Sequence, residues 1–454
     1  MPAMFLHRRA FLGLMSSVAL LPILARASNA AGSGVDLIIL SDLHSAYERM
    51  AELLQAVQTH VAAASRPQVI LFNGDLFEIG NVVAARSGGE ADWAFLGALA
   101  KLAPTVFNIG NHEPDLDNDL AHFVEKARSL GVTVLSNITD KRTGQLYTDA
   151  SATLSVGGLR LRIAALGTNA MGTYPKPTRE LIDAPQPVDW ARQNLPKLLQ
   201  AGDVNIVLSH AGVVPDRDIL PIVPDGTLMV GGHDHLTLVQ ESGKTRYVHT
   251  GSWASLYTVA TISAPGEAAR LEQRPVDRDG PAVPDLKSVI TTLLARHLTP
   301  EDRSIIAQCE HARTLGETAR FTAAAIAAKA GADLGFIGHT SFGTGLPKGE
   351  ISRYDYNANL RFDGKIMKAE VDAATLAAIL ARCNQDGDIP LATRTGDFLY
   401  SAPTPVAEKQ SYVIACNDWS AINRKSYFGR EDLAFSEVAD LKLKALVAEA
   451  LNKA

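Results

Sequence analysis

Residues 35–44 read VDLIILSDLH, an apolar run that gives way abruptly to a polar ending. A run of this length with a single charged residue is typical of a β-strand buried on both faces, as in α/β proteins whose helices cover both sides of a sheet. In such proteins, ligands bind outside the carboxyl ends of the strands. The stretch therefore predicts an α/β fold, and it directs attention to the residues that follow each strand.

The same pattern continues to about residue 265. The apolar runs QVILF, TVFNI, NIVLSH and TLMVGG alternate with stretches such as AYERMAELLQAVQTHVAAA and DWAFLGALAKLA, whose apolar residues recur at helical spacing. TLSVGGLRLRIAALG and LTLVQESGKTRYVHT each predict a hairpin, so we expect mixed rather than purely parallel sheets. We predict a layered α/β sandwich over residues 34–273.

A second domain is predicted beyond this unit, since a chain of 454 residues is too long for one compact core. Residues 274–285, RPVDRDGPAVPD, lack an apolar period and read as a linker. The remainder, 286–454, is predicted to be a smaller α/β domain. We expect it to open with a long helix running from about Asp285 through FTAAAIAAKAGADLG, and to close with a helix in LAFSEVADLKLKALVAEALNKA.

Bulk composition argues against two classes of protein. A net charge of −6 offers no basic field for a nucleic acid polymer. Cys309, Cys383 and Cys416 lack a CxxC spacing, which excludes a disulfide framework and leaves room for one bridge.

The first thirty residues predict an export signal. They combine a charged start, an apolar stretch from Phe11 to Leu24 and small residues at Ala25 and Ala27. The apolar stretch is short and interrupted for a membrane span, so we expect no stable membrane insertion after its removal; a retained anchor is the alternative. HRRAFLG resembles the twin-arginine export signal, which implies a bacterial protein that folds before it reaches the periplasm.

Polar side chains follow five of the predicted strands. Taken singly, each is more often a turn or structural residue, but the recurrence of the same types at one edge of one sheet predicts a joint site. Oxygen and imidazole ligands without thiolate suit Mn, Fe, Zn or Mg, and their number suffices for two ions that share a carboxylate. These residues are Asp42, His44, Asp75, Asn111, His112, Glu113, Asp115, His210, His233 and His235.

The order of these motifs resembles the calcineurin-like metallophosphoesterase family. The matching blocks are Asp42-Leu-His44, Gly74-Asp75, Gly110-Asn111-His112-Glu113, His210 and Gly232-His233-Asp-His235. The resemblance implies one metal held by Asp42, His44 and His235. It implies a second held by Asn111, His210 and His233, with Asp75 as the bridge and a metal-bound hydroxide as the nucleophile.

The run GNHEPD resembles the 5'-nucleotidase branch of that family. This implies that His112 acts on the substrate phosphate or its leaving oxygen and that Asp115 orients the imidazole. The alternative is that Asp115 caps the helix predicted in LDNDLAHFVEKARSL.

The C-terminal part resembles the C-terminal domain of 5'-nucleotidases through LPKGEI. That resemblance implies base stacking by Phe362 and Tyr427; the alternative is that both are core aromatics. Gly343 occupies the slot of the family's phosphate-binding arginine, and the family's GGDG run is missing. Arg361, Arg424 and Lys425 are candidate replacements, since basic side chains pair with phosphate oxygens.

We therefore predict an exported two-metal phosphoesterase that hydrolyses small phosphate monoesters, nucleotides first among them. Two other reactions suit the same site: hydrolysis of a 2',3'-cyclic nucleotide, or of a sulfur ester as in the related thiosulfohydrolase of sulfur oxidation. A metal-loaded binding protein without turnover and a scaffold built on the C-terminal domain are the non-enzymatic alternatives. The sequence leaves the oligomeric state open.

Overall fold

A computed structural model describes residues 34–405 and 409–453; the export signal predicted at residues 1–30 lies outside them. The strands are β1 (Val35–Leu40), β2 (Gln68–Asn73), β3 (Thr105–Asn108), β4 (Thr133–Leu135), β5 (Thr139–Asp140), β6 (Gln145–Leu146), β7 (Ser151–Val156), β8 (Leu159–Gly167), β9 (Ile182–Asp183), β10 (Val204–His210), β11 (Leu228–Gly231), β12 (Thr237–Ser242), β13 (Thr245–Thr250), β14 (Leu256–Ile262), β15 (Arg270–Pro275), β16 (Ile305–Cys309), β17 (Leu334–Gly338), β18 (Gly349–Ser352), β19 (Lys365–Asp372), β20 (Leu399–Ala402), β21 (Ser411–Asn417) and β22 (Ser436–Lys442). The helices are α1 (Met50–Ala63), α2 (Val82–Ser87), α3 (Glu90–Leu102), α4 (Leu120–Ser129), α5 (Pro187–Leu198), α6 (Val213–Ile219), α7 (Pro284–His297), α8 (Leu315–Ala330), α9 (Arg353–Asn359), α10 (Ala373–Leu380), α11 (Asp418–Ile422), α12 (Arg424–Phe428) and α13 (Leu443–Leu451).

Two six-stranded sheets form the N-terminal unit, in the orders β15-β14-β1-β2-β3-β4 and β12-β13-β11-β10-β8-β7. The strands from β1 to β4 pair in parallel and β14 and β15 antiparallel, while the second sheet has antiparallel edges at β12 and β7. Apolar residues of β1, β8 and β10 fill the space between the sheets, and helices cover their outer faces. The predicted layered α/β sandwich with mixed sheets is confirmed.

The expectation that all five polar strand ends belong to one sheet is wrong. β1, β2 and β3 lie in the first sheet, whereas β10 and β11 lie in the second. Buried amides join the two layers: Asn73 Nδ2 donates to Ser209 O at 2.9 Å, and Asn108 Nδ2 donates to Leu166 O at 3.0 Å. The five ends therefore meet at one edge of a sandwich.

The C-terminal part contains a five-stranded sheet in the order β20-β17-β21-β19-β22. The long helix predicted from Asp285 is wrong, because α7 and α8 are separated by strand β16. Pro300 follows the end of α7 and disfavours helical backbone at the residue before it. Helix α8 has a start of its own, a capping box between Thr314 and Glu317. The closing stretch likewise divides into β22, an edge strand paired with β19, and helix α13.

Helix α7 begins at Pro284, within the predicted linker, yet it packs on the N-terminal unit. Its Leu286, Ile290 and Leu293 lie in the same apolar cluster as α1 and α3. The domain limits given above stay a prediction. Cys309, Cys383 and Cys416 are buried free thiols, so the one allowed bridge does not form. Within the described part of the chain, every helix is too short or too polar to cross a membrane.

Candidate metal and catalytic site

Left-handed backbone marks the edge where the strand ends meet. The φ angles are 51° at Asp42, 50° at His44, 59° at Asp75, 78° at His233 and 56° at His235. Each such residue costs about 1–3 kcal/mol, and strain of this kind concentrates at functional sites. Backbone hydrogen bonds hold two of these turns together, from Asp42 N to Gly74 O at 2.9 Å and from His44 N to Asp75 O at 3.1 Å.

Asp42, His44 and His235 form the first group of ligand atoms. His44 Nε2 lies 2.8 Å from His235 Nε2, and Asp42 Oδ1 lies 3.9 and 3.8 Å from these two nitrogens. Burial, and then the Arg361 guanidinium, hold the pKa of both imidazoles well below its ordinary value, so both rings are neutral. Burial also raises the pKa of Asp42 to about 7. Neutral imidazole nitrogens beside a carboxylate offer lone pairs to a cation.

Asp75, His210 and His233 form the second group, with Asn111 beside it. His210 Nε2 lies 3.1 Å from Asp75 Oδ2, and His233 Nδ1 lies 2.8 Å from Asn111 Oδ1. Burial lowers the pKa of His233 to about 3. Although burial opposes it, the Asp75 carboxylate raises the pKa of His210 to about 10. Asp75 Oδ2 also lies 3.8 Å from His44 Nε2, so this carboxylate stands between the two groups.

This donor set fits divalent cations. Within each group the ligand atoms lie within 4.8 Å of one another. His210 Nε2 is buried beside the Asp75 carboxylate, 3.1 Å away, and the Nε2 atoms of His44 and His235 face each other. The ring nitrogen His210 Nδ1 lies 2.7 Å from the backbone oxygen of Asn73, which orients the ring as outer partners of metal ligands do. Carboxylate, imidazole and amide donors without thiolate suit Mn, Fe, Zn or Mg.

His112 lies beside these groups and pairs with Asp115. The distance from His112 Nδ1 to Asp115 Oδ2 is 2.8 Å, and His112 N donates to Asp75 Oδ1 at 2.9 Å. Burial disfavours the charged ring, but the carboxylates of Asp115 and Asp75 outweigh it and raise the pKa of His112 to about 10. Cations in the two ligand groups would lower that pKa by repulsion. Asp115 does not cap the following helix, which was its alternative role. The N-cap of α4 is Asp119, whose side chain accepts a hydrogen bond from Ala121 N.

Glu113 joins two of the site loops without reaching the ligand groups. Its carboxylate accepts hydrogen bonds from Gly110 N at 2.6 Å, Leu76 N at 2.8 Å and Asp75 N at 3.2 Å. It therefore positions Asp75 through the backbone. The GNHE run marked Glu113 as a candidate, but the sequence did not indicate that its side chain binds these backbone N–H groups.

Two residues of the site, Trp253 and Glu78, were not predicted from the sequence. Trp253 has a φ of 55°, stacks on His44 with ring centroids 5.5 Å apart, and donates its backbone N–H to Asp42 O at 2.8 Å. Glu78 lies with Oε2 3.6 Å from His44 Nδ1. The acidic residue after NGDLF was a signal for Glu78, whereas nothing in the sequence marks Trp253.

Among the three candidate cations of the C-terminal part, Arg361 reaches the site. It is buried and forms an ion pair with Glu78, and its Nη2 lies 3.5 Å from His44 Nδ1. Arg424 instead donates to backbone oxygens of its own segment, and Lys425 pairs with Glu431 at the surface.

The two predicted stacking aromatics have different environments. Phe362 is 47% exposed and lies under the Arg361 guanidinium. Tyr427 is 5% exposed, and its hydroxyl donates to Asp397 and accepts from Trp419 Nε1. The structure thus leaves Phe362 open to a ligand and places Tyr427 in the core.

Comparison with known proteins bears on the fold and the family of the N-terminal unit. Residues 36–236 match the calcineurin-like phosphoesterase family. No curated protein gives a significant match to the chain. Solved structures share the fold across nearly the whole chain, and three of them illustrate the range. A 5'-nucleotidase precursor from Thermus thermophilus is 19% identical, with 92% of this chain and 96% of that chain covered and a TM-score of 0.60. The sulfate thiohydrolase SoxB of Thermus thermophilus is 16% identical, with 93% and 94% covered and a TM-score of 0.61. A 5'-nucleotidase from Candida albicans is 10% identical, with 94% and 99% covered and a TM-score of 0.59.

Proposed function

We propose that this protein, whose residues 36–236 match the calcineurin-like phosphoesterase family, is an exported hydrolase of small phosphate monoesters, with nucleotides as the first substrate class. The observation that carries the proposal is the meeting of two ligand groups around Asp75, next to the His112–Asp115 pair. Two divalent ions bound there would supply a low-pKa water as nucleophile and would stabilise charge on the phosphoryl oxygens. Export is inferred from the N-terminal sequence alone.

His112 is the proposed general acid. Asp115 holds its Nδ1, which leaves Nε2 to give a proton to the leaving oxygen. The Asp115 and Asp75 carboxylates raise the pKa of His112 and so favour the protonated ring that a general acid requires, against the repulsion of bound cations. The hydrogen bond from His112 N to Asp75 Oδ1 ties the position of the ring to the carboxylate proposed as the bridge.

Arg361 and Phe362 are the proposed substrate contacts of the C-terminal part. Arg361 lies between the first ligand group and the exposed ring of Phe362, so a phosphate near His44 and a base on Phe362 would both be within its reach. Its partner Glu78 must then share the guanidinium with the substrate. In this proposal Arg361 takes the role of the family's phosphate-binding arginine, whose position is occupied here by Gly343.

Hydrolysis of a sulfur ester is the second candidate. The specific observation in its favour is that the fold matches a sulfate thiohydrolase and a 5'-nucleotidase equally well, with TM-scores of 0.61 and 0.60. The missing arginine at Gly343 also removes one nucleotidase feature.

A substrate panel on the mature protein tests the proposal. It comprises nucleoside monophosphates, 2',3'-cyclic nucleotides, sugar phosphates, an aryl phosphate and a thiosulfate ester, each with Mn, Zn and Mg. We expect the monoesters to turn over, and Asp75→Ala and Asn111→Ala to abolish turnover because each removes a proposed metal ligand. Hydrolysis that persists in either variant, or no hydrolysis with any metal, would contradict the proposal; cleavage of the thiosulfate ester alone would favour the second candidate.

A further inference from the structure

Helix α6 (Val213–Ile219) lies between the two strand ends that supply the histidines of the second ligand group. It begins three residues after His210, the last residue of β10, and the chain then returns through β11 to His233. The ligand groups, the His112–Asp115 pair and the proposed substrate contacts all lie outside this helix. Its contacts nevertheless reach both strand ends and the C-terminal part of the chain.

Asp216 attaches the inner side of α6 to the end of β10. Its side chain is fully buried and accepts hydrogen bonds from Ser209 Oγ and, at 2.8 Å, from the Tyr247 hydroxyl. Ser209 directly precedes His210 in the strand. Because a buried carboxyl group is unfavourable without hydrogen-bond partners, these bonds fix α6 relative to the strand end that carries His210.

Asp234 attaches the first turn of α6 to the end of β11. It stands between His233 and His235, is buried, and accepts a hydrogen bond from Val213 N, the first amide of the helix. The same carboxyl group faces the C-terminal part, since a β-carbon added to Gly396 would lie 3.2 Å from both of its oxygens. A residue flanked by two of the histidines thus contacts both α6 and the C-terminal part.

Arg217 joins the outer side of α6 to loop 390–397 of the C-terminal part, which precedes β20. Its Nη1 donates to three backbone oxygens of that loop: Leu391 O at 3.2 Å, Ala392 O at 2.9 Å and Arg394 O at 3.2 Å. Hydrogen bonds from a charged donor are stronger than those between neutral groups. This contact therefore sets the position of the helix relative to the loop.

Loop 390–397 is itself held within the C-terminal part. The buried Arg394 donates to Gln385 O and to Gly387 O, both at 3.1 Å. At the end of the loop, His339 N donates to Phe398 O at 2.7 Å. The loop is therefore a fixed support for α6.

We propose that Arg217 is a positioning residue of the metal centre: by fixing α6 to loop 390–397, it holds the strand ends that carry His210 and His233 in the geometry that binds a cation. Removal of the partners that stand behind metal ligands typically lowers metal affinity by about ten- to a hundredfold. The inference rests on the metal centre of the proposed function, but not on the reaction or the substrate.

Zinc affinity of the full chain, measured by competition with a chromophoric chelator, tests the proposal. Arg217→Met keeps the length of the side chain and removes every donor, whereas Arg217→Lys restores a charged donor. The control is Asp218→Asn, which changes an exposed residue of the same helix. We expect Arg217→Met to bind zinc about tenfold more weakly or worse at the second ligand group, Arg217→Lys to lie in between, and the control to match the wild type. The binding step of that group is the one that His210→Ala removes.

Hydrogen exchange of the metal-free protein separates positioning from a general loss of stability. We expect the amides of residues 210–213 and 232–236 to exchange faster in Arg217→Met than in the wild type and the control, while those of β1 and β2 stay unchanged. Exchange that rises equally in all strands, or equal zinc affinity of Arg217→Met and the wild type, overturns the proposal. If Arg217→Met fails to fold by circular dichroism, Arg217→Lys is compared with the control under the same criteria.

The outcomes keep this inference apart from the proposed function. Equal zinc affinity in the variants ends the inference and leaves the proposed function intact. Zinc binding by the wild type without hydrolysis of any ester ends the proposed function, and the affinities of the variants still decide the role of Arg217. A wild type that binds no zinc overturns both.

Discussion

The proton on His112 decides how this site would treat different leaving groups. If His112 is the general acid, His112→Asn should lower kcat about 10²–10⁴-fold on an alkyl phosphate, whose leaving oxygen needs a proton. The loss should be far smaller on p-nitrophenyl phosphate, because its phenolate leaves without one. Steady-state kcat for both substrates measures this, with the exposed His122→Asn as the control. An equal loss on both substrates would contradict the acid role.

Asp115 should set the pH range of that acid. Burial lowers the pKa of His112, and Asp115 is the largest of the charges that raise it, so Asp115→Asn should lower the pKa. The imidazolium is present below its pKa and lost as the pH rises through it. The basic limb of the kcat–pH profile on an alkyl phosphate should therefore move to lower pH in Asp115→Asn. A limb that stays in place would show that another group controls it.

Residues of the site that lie at strand ends were predictable from the sequence, whereas residues brought there by long-range contacts were not. Asp42 and Asp75 lie two residues beyond the ends of β1 and β2, and His210 is the last residue of β10. A buried apolar run that stops at polar residues can be recognised from the sequence alone. Arg361 reaches the site by pairing with a residue 283 positions away, and no local pattern encodes such a contact. Tyr427 shows the converse, because position in a family pattern indicates an aromatic but not whether its hydroxyl is buried against Asp397.

Helix α4 follows the loop that carries His112. Its N-cap residue, Asp119, should affect the free energy of unfolding without affecting turnover. Asp119 accepts from Ala121 N at 3.0 Å and also pairs with Arg142. Asp119→Ala should therefore cost about 1 kcal/mol of the free energy of unfolding. It should leave kcat unchanged, since Asp119 does not contact His112. Urea denaturation with Glu125→Ala, an exposed position within the same helix, is the matched comparison. If Asp119→Ala moved the kcat–pH profile as Asp115→Asn is expected to, the division of roles between the two carboxylates would be wrong.

Strands were easier to place than helices, for a physical reason. β1 and β2 match their apolar runs to within a residue, because burial on both faces ends sharply where the chain leaves the sandwich. The chain after Asp285 has helical spacing in two separate segments, which form α7 and α8. The prediction joined them into one helix because the sequence pattern did not reveal β16 between them. Ile305 and Gln308 of that strand are exposed, so it lacks the continuous apolar run that marked β1.

The two parts of the chain meet in a buried ion pair, and that pair should couple their stability. Glu78 and Arg361 are both buried, so removing either partner strands a charge in the interior. Glu78→Gln and Arg361→Gln should each cost about 3–5 kcal/mol, and the double variant should cost less than the sum. Thermal denaturation of the wild type, the two single variants and the double variant measures this double-mutant cycle. Additive losses would mean that the pair does not hold the two parts together.

Metal removal is the test that involves the whole molecule, because the ligands come from both sheets of the sandwich. His44 and His235 present neutral nitrogens to each other at 2.8 Å, and Asp75 stands between the ligand groups, so a bound cation should stabilise the folded chain alone. At a metal concentration about a hundredfold above Kd, linkage predicts about 2.7 kcal/mol, or roughly 3 °C in Tm for a chain of this length. Chelation should lower Tm by that amount, zinc or manganese should restore it, and Asp75→Ala should show a much smaller response. The control is Asp203→Ala, which removes a partly buried carboxylate paired with Arg162 outside the ligand groups and should respond to chelation as the wild type does. A Tm that does not respond to the chelator would remove the metal centre, and with it the metal-activated water, from the proposed function.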